Sequence, residues 1–152
     1  MKNQYQIRPF RMSDMDAVLA LEGASFGADA YDRNLFAELA GKCGRLFLVA
    51  ADGASIRAYM VTSLAARRGV LSAEVVSVAV GAQYRGQGIA SRLIRSTLRR
   101  LRLRRARRLR LAVRVSNRPA QALYAKFGFS LSRRIRRYYA DGEDALVLSR
   151  SL

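Results

Sequence analysis

An apolar run that turns into a glycine-rich loop, Val78 to Ser91, has the residue types needed to bind a phosphate. The run ending at Val80 is typical of a β-strand, and Gly86 and Gly88 follow it before an amphipathic helix pattern. Glycine lets the backbone approach an anion closely, and the first N–H groups of a helix have no partner within the helix. The helix dipole and Arg85 add positive potential. This stretch is therefore predicted to bind a pyrophosphate.

Two common phosphate-binding motifs are absent. The sequence has no G-x-x-x-x-G-K-S/T motif, and no G-x-G-x-x-G motif with an acidic residue about 20 positions later. The loop reads QYRGQG at positions 83–88. It resembles the Q/R-x-x-G-x-G/A signature of the GNAT N-acetyltransferases, which bind the pyrophosphate of acetyl-CoA. Taken alone, these residues are also compatible with a plain glycine turn between a buried strand and a helix.

Composition limits the classes of protein and of site. The 152 residues are 51% hydrophobic, so residues 1–152 are predicted to form a single folded domain. No apolar run reaches about 18 residues and the N-terminus has no apolar signal-peptide core, so no membrane association and a cytoplasmic location are expected. Cys43 is the single cysteine and there is no histidine, so no metal site is predicted.

The net charge is strongly positive. Lys and Arg number 28 and Asp and Glu number 11, which gives a net charge of +17 at pH 7. Two interpretations remain open: an RNA or ribosome contact through the arginine-rich helix after the loop, or a solvated helix face in an arginine-biased sequence. The pattern alone favours the solvated face.

Periodicity predicts alternating strands and helices in an α/β arrangement. Strands are predicted at 5–8, 46–51, 56–64, 70–80, 109–115, 131–139 and 144–148. Helices are predicted from the capping-box-like Ser13-x-x-Asp16, over 32–40, over 89–101 with a stripe of apolar residues, and from Asn117 to Gly128. Asn117 suits a helix N-cap, and Gly128 suits a left-handed C-terminal cap.

A second motif strengthens the resemblance. VRVSNRPAQALYAKFGF at 113–129 resembles the S-N-x-x-A-x-x-L-Y-x-x-x-G-F signature of ribosomal-protein alanine N-acetyltransferases. The tail RRYYADGEDALVLSRSL and the opening IRPFRMSDMDAVLALEGASF are similar to the last hairpin and the first strand and helix of protein N-terminal acetyltransferases. The resemblance covers nearly the whole chain and implies a GNAT fold: a mixed, mostly antiparallel sheet of about seven strands flanked by four helices.

The resemblance also implies the positions of the cofactor-binding residues. The strand before the glycine loop splays away from the strand at 109–115, and the pantetheine arm of CoA lies in the gap. Contacts to the arm and the thioester are expected from Val78, Ala79 and Val80. Contacts to the pyrophosphate are expected from Arg85, Gly86, Gln87, Gly88, Ile89, Ala90 and Ser91, with a further cofactor contact from Asn117.

Catalytic and acceptor-binding residues follow from the same resemblance. Tyr124 matches the general acid that protonates the departing thiolate. Ribosomal alanine acetyltransferases have L-E-V-R where this chain has LAVR, so Ala112 replaces the carboxylate proposed there as base. Glu74 is the predicted substitute, either as a base or as a binder of the amine; alternatively, it is a surface carboxylate paired with an arginine. Tyr138 and Tyr139 match the tyrosines that line the peptide slot of N-terminal acetyltransferases, and the loop aromatics Phe26 and Tyr31 are candidate acceptor contacts by their position alone. Alternatively, these aromatic residues only pack against the core.

The predicted function is transfer of an acetyl group from acetyl-CoA to a primary amine by direct attack in a ternary complex, with a protein N-terminus as the expected acceptor. Two alternatives remain open: an acetyltransferase for small-molecule amines or lysine side chains, and a ribosome- or RNA-binding protein with a vestigial GNAT core.

Overall fold

Seven strands and four helices make up the computed structural model, which describes residues 4–152. In chain order they are β1 (Gln6–Pro9), α1 (Met15–Phe26), α2 (Arg33–Cys43), β2 (Phe47–Asp52), β3 (Ser55–Arg67), β4 (Val70–Val80), α3 (Ile89–Leu103), β5 (Arg108–Arg114), α4 (Arg118–Lys126), β6 (Ser130–Ile135) and β7 (Ala145–Ser151). The first three residues, part of the segment considered for a signal peptide, lie outside the described residues. None of the helices of residues 4–152 combines the length and apolarity needed to cross a bilayer.

The strands form one sheet in the order β1-β2-β3-β4-β5-β7-β6. Neighbouring strands are antiparallel except β4 and β5, which are parallel and joined by α3. A parallel connection needs a crossover, and a helix supplies it. The mixed, mostly antiparallel sheet with four helices that the sequence predicted is confirmed.

Each face of the sheet is covered by a different hydrophobic core. Helix α3, with Tyr124 of α4, packs on one face, and α1 and α2 pack on the other. The predicted apolar stripe of α3 is confirmed, because all of its members are at most 3% exposed: Ile89, Leu93, Ile94, Leu98 and Leu101. The polar face of α3 therefore consists largely of arginines that point away from the sheet.

A β-bulge in β4 directs its residues to both cores. Val61 pairs with Ser77 and Thr62 pairs with Val75, so Val76 is the extra residue. Val75 belongs to the core under α3, whereas the next two residues both face α1 and α2: Val76 packs with that core and Ser77 Oγ donates to Glu22. Bulges bend a strand and are frequent next to active sites.

Two local predictions were wrong. Ser13 does not cap α1: residues 12–14 form a short 3-10 turn, and Asp14 accepts hydrogen bonds from the Arg11 N–H and from Arg8. The strand predicted over 131–139 ends at Ile135. The backbone turns there because Arg137 has a φ of 51° and its N–H donates to Asp144, 3.0 Å away.

Candidate active site between the splayed strands

A cleft opens where β4 and β5 separate. The two strands pair at three positions, from Ser72–Arg108 to Glu74–Arg110, although β4 continues to Val80. Beyond this point, the edge of β4 that faces β5 has backbone groups without a β5 partner in the described residues. The cleft between them has a volume of about 520 Å³. An unpaired strand edge can hydrogen-bond an extended ligand as an added strand would.

The predicted β4 contacts have different surroundings. The side chain of Val78 lines the cleft. Ala79 is buried in the core under α1 and α2, and Val80 packs against the core under α3. Of these three residues, Val78 alone lines the cleft.

The glycine loop follows β4 directly and has the predicted conformation for anion binding. Gly86 has a φ of 76° and Gly88 a φ of 80°, and a Cβ on either would meet no atom within 4 Å. Gly88 immediately precedes α3, so the free N–H groups of the first helical turn face the loop. Arg85 Nε donates to the Val80 carbonyl at 3.2 Å. The loop is an open cradle of backbone donors that fits a pyrophosphate.

The remaining predicted loop residues differ in exposure. Gln87 is exposed and donates from Nε2 to the Gln83 carbonyl at 3.4 Å. Ile89 is 1% exposed, so only its N–H can reach a ligand. Ala90 and Ser91 are half-buried in the first turn of α3. Within residues 4–152, none of these loop positions lines the cleft itself, which ends beside β4.

Helix α4 places two predicted residues in the cleft. The Asn117 side chain caps α4 by accepting from the Ala120 N–H at 3.2 Å, as predicted. Tyr124, about two turns further on, is buried against Phe129 with a ring separation of 5.3 Å. Both residues line the cleft. Burial raises the pKa of Tyr124 above its usual value, so its hydroxyl keeps a proton across the neutral range.

Four aromatic side chains form one end of the cleft. Phe26 is the last residue of α1, Tyr31 lies between α1 and α2, and Tyr138 and Tyr139 lie in the connection between β6 and β7. Phe26, Tyr31 and Tyr138 are more than one third exposed. The sequence predicted these four residues as acceptor contacts, and the fold brings them together from positions over 100 residues apart in the chain.

Glu74 lies on the rim of the cleft in an ion pair. Its Oε2 accepts a hydrogen bond from Arg110 Nε at 2.9 Å, and both side chains are more than half exposed. Ala112, which lies further along β5, lines the cleft without a polar group. The carboxylate of Glu74 is thus at the cleft and accessible, with a partner that an incoming cation can replace at low cost.

A buried carboxylate in the cleft wall escaped the sequence analysis. Glu22 is 1% exposed and accepts hydrogen bonds from Tyr59 Oη, from Ser77 Oγ at 2.7 Å and from the Tyr31 N–H at 2.9 Å. Burial and the Glu22 hydrogen bond raise the pKa of Tyr59, which keeps this hydroxyl a donor. The sequence did contain a signal for this residue, because Glu22 occupies a core position of an apolar helical pattern, where a carboxylate is rare unless it has partners.

Arg114, at the end of β5, is a second residue that the sequence analysis missed. Its guanidinium binds three carboxylates, those of Asp29, Asp141 and Glu143. It also lies 4.1 Å from the centre of the Tyr139 ring. The hydrogen bonds that its guanidinium donates to these carboxylates raise the pKa of Arg114. No local pattern predicts this cluster, because Asp29 is 85 positions away in the chain.

The chemical capacity of the cleft follows from these groups. It offers an unpaired strand edge, a proton donor at Tyr124 and a wall of four aromatic side chains, and the glycine loop follows β4 outside the cleft. Among residues 4–152, no three His, Cys, Asp or Glu side chains are arranged to hold a metal ion.

Comparison with known proteins identifies the family. The model of the acetyltransferase (GNAT) family matches residues 13–129. The chain belongs to the GNAT acetyltransferase family. Enzymes of this family take the acetyl group from acetyl-CoA. The predictions of family, fold, acetyl-CoA and acetyltransferase activity are confirmed.

Relatives and solved structures agree with this assignment. The acetyltransferase is 34% identical to a Bacillus subtilis protein assigned as a ribosomal protein bS18-alanine N-acetyltransferase, over 97% of this chain and 96% of that protein. It is 32% identical to an N-alpha-acetyltransferase of Saccharolobus solfataricus, over 97% and 93%. A crystal structure of the NatC complex bound to Gag peptide and CoA shares its fold with a TM-score of 0.91 and 24% identity, over 100% and 99% of the two chains.

Proposed function

We propose that this acetyltransferase acetylates the N-terminal α-amine of a protein, by direct attack of the amine in a ternary complex, and that it acts in the cytoplasm. The observation that carries the proposal is the cleft itself. The splayed strands leave a cleft that contains Tyr124 and the wall of Phe26, Tyr31, Tyr138 and Tyr139, and the glycine loop follows directly after β4. A donor and an extended acceptor can therefore meet near Tyr124. The relatives named N-alpha-acetyltransferases support the same acceptor class.

The residues of the chain have separate roles in this proposal. Acetyl-CoA supplies a thioester whose acyl carbon is open to a neutral amine. The backbone near Val80 offers an N–H to the carbonyl oxygen, where negative charge develops. Tyr124 holds a proton inside the cleft for the departing sulfur, whose thiol has a pKa of about 8.5 and so benefits from a donor without depending on it. The Gly86–Gly88 loop holds the pyrophosphate.

The lack of a carboxylate at Ala112 favours an α-amine over a lysine side chain. An α-amine has a pKa of about 8, so roughly a tenth of it is neutral at pH 7. A lysine amine has a pKa of about 10.4, which leaves about one part in 2,500 neutral. A site with a weak base therefore reacts preferentially with the α-amine. The accessible carboxylate of Glu74 is suited to bind that amine in its ammonium form.

Two peptides of the same sequence test the acceptor. One has a free N-terminus and an acetylated lysine; the other has a blocked N-terminus and a free lysine. We expect acetylation of the first to dominate at pH 7, measured by mass spectrometry. Predominant modification of the lysine, or turnover only with polyamines or aminoglycosides, would contradict the proposal and favour the alternative acceptors. An absence of acetyl-CoA turnover with every acceptor would favour a vestigial core.

A further inference from the structure

The charge of the chain is divided unevenly along the sequence. None of the 11 acidic residues lies between positions 75 and 140, whereas 18 of the 28 basic residues do. If the positive charge came only from an arginine-biased composition of solvated faces, acidic residues would also be found in this span. The acid-free span includes α3, β5, α4 and β6. The fold therefore concentrates positive charge on part of the surface.

One end of the sheet collects the exposed arginines of this span. Strands β4 and β5 begin side by side, with the Arg107 N–H donating to the Leu71 carbonyl at 2.8 Å. The turn from β3 to β4 and the turn from α3 to β5 therefore adjoin. Together they expose a group of guanidinium side chains that we name the arginine surface: Arg67, Arg68, Arg102, Arg105, Arg107 and Arg108.

The arginine surface has no acidic counterpart. In the part of the chain that the structure describes, none of its six members is in an ion pair. On the adjacent side of α3, burial and the charges of Arg45, Arg104 and Arg99 lower the pKa of Arg100. Positive charges are thus close enough to repel one another, and an external anion would relieve this repulsion.

Two of these arginines occupy backbone conformations that arginine tolerates poorly. Arg68 has a φ of 52° and Arg105 a φ of 60°. Left-handed backbone costs a residue with a Cβ about 1–2 kcal/mol, and glycine or asparagine is the usual choice at such turns. Both strained arginines lie in turns at the same end of the sheet, where each adds a positive charge. Strained backbone together with concentrated positive charge indicates that this surface has a functional role.

We propose that the arginine surface binds RNA through its phosphate backbone. Arginine presents a rigid fork of donors that matches phosphate oxygens, and it accounts for all six members of this surface. The choice of RNA among polyanions rests on the proposed function, because new protein N-termini arise where RNA is the abundant polyanion. Arg102 lies 14 positions after Gly88, about 21 Å along the helix, so this surface is separate from the pyrophosphate cradle.

A charge-neutralising variant tests the proposal without threatening the fold. We suggest Arg68→Asn with Arg102→Gln and Arg105→Asn, because asparagine suits left-handed backbone better than arginine does. Binding of a labelled RNA hairpin is followed by fluorescence anisotropy between about 50 and 200 mM KCl. We expect the variant to bind at least about 10-fold more weakly and its salt slope to be smaller by about 2–3, which corresponds to the loss of three phosphate contacts.

A matched control removes the same charge elsewhere. Arg11→Gln with Arg33→Gln and Lys42→Gln changes exposed residues beside α1 and α2, and we expect nearly wild-type RNA binding. Equal losses in both variants, or equally tight wild-type binding to a DNA duplex, to poly-glutamate or to anionic vesicles, would overturn the proposal. Acetylation of a free peptide is measured in parallel. It should be unchanged in the arginine-surface variant, so failure of the RNA proposal and failure of the acceptor proposal are distinguishable.

Discussion

The Ser77 hydroxyl donates a hydrogen bond to Glu22 Oε1 over 2.7 Å and so joins β4 to α1 across 55 positions of the chain. The other oxygen of Glu22 accepts from the Tyr31 N–H. A single buried carboxylate therefore fixes both the strand next to the splay and the loop that brings Tyr31 to the acceptor end of the cleft.

Replacing Glu22 with Gln should loosen this connection. Glutamine has one acceptor oxygen, so one donor would face an NH₂ group and remain unsatisfied in the interior. Such a group costs about 1–3 kcal/mol, and a protein of this size then loses roughly 2–4 °C in Tm for each kcal/mol. We also expect a higher KM for peptide with little change for acetyl-CoA. Glu38→Gln, at an exposed position of α2, is the control. A Glu22→Gln enzyme with the Tm and peptide KM of this control would contradict the assignment.

Tyr124→Phe should distinguish the role of the Tyr124 hydroxyl as a proton donor from the role of its ring in packing. The ring is retained and only the hydroxyl is lost, so kcat should fall about 10-fold to 10⁴-fold with acetyl-CoA affinity nearly unchanged. Calorimetry and steady-state kinetics measure the two quantities. Full activity in the variant would mean that water, or the thiolate alone, suffices.

The pH profile gives an independent check on Tyr124. Below pH 8, kcat/KM should rise about tenfold per pH unit as the α-amine loses its proton. Because burial raises the pKa of Tyr124 above the usual value of about 10, the donor stays protonated and the rate should remain level up to about pH 10. A fall of the wild-type rate to about half by pH 10 that is absent from Tyr124→Phe would indicate an unshifted tyrosine.

Gly88 and Gly44 form a matched pair for testing the pyrophosphate cradle. Both have a positive φ, and a Cβ at either would meet no atom within 4 Å; because ψ is −123° at Gly44 and 11° at Gly88, alanine is strained at least as much at Gly44. Gly88→Ala and Gly88→Glu should both weaken acetyl-CoA binding, the glutamate much more because its charge opposes the pyrophosphate. Gly44→Ala should cost at least as much stability with no loss of affinity. Titration calorimetry with unchanged affinity in Gly88→Glu would show that the loop does not hold the pyrophosphate.

Glu74→Gln distinguishes amine binding from base catalysis. An exposed ion pair with the acceptor amine is worth about 0.2–1 kcal/mol, so peptide KM should rise about 1.4-fold to 5-fold with kcat nearly constant. Arg110→Gln removes the competing partner of Glu74 and should lower the peptide KM. If kcat of Glu74→Gln instead fell by about 10² or more, Glu74 would be a general base.

The sequence predicted the local elements of the site better than the contacts between residues that are far apart in the chain. The glycine loop, the Asn117 cap and the apolar stripe of α3 depend on local chemistry, and each forms as expected. The strand alternation rule fails in β4, because the bulge at Val76 places Val75 and Ser77 on opposite faces. Glu22 and Arg114 depend on partners far away in the chain, which local patterns do not report.

The parallel pairing of β4 with β5 also sets the orientation of the enzyme on any partner. Both strands begin at the arginine surface and end at the cleft, and from Arg108 to Arg114 the chain advances about 20 Å. A molecule held at one end of these strands leaves the other end open. An enzyme bound through the arginine surface would meet the N-termini of nearby protein chains at a raised effective concentration. It would acetylate only those N-termini that are close enough to enter the cleft.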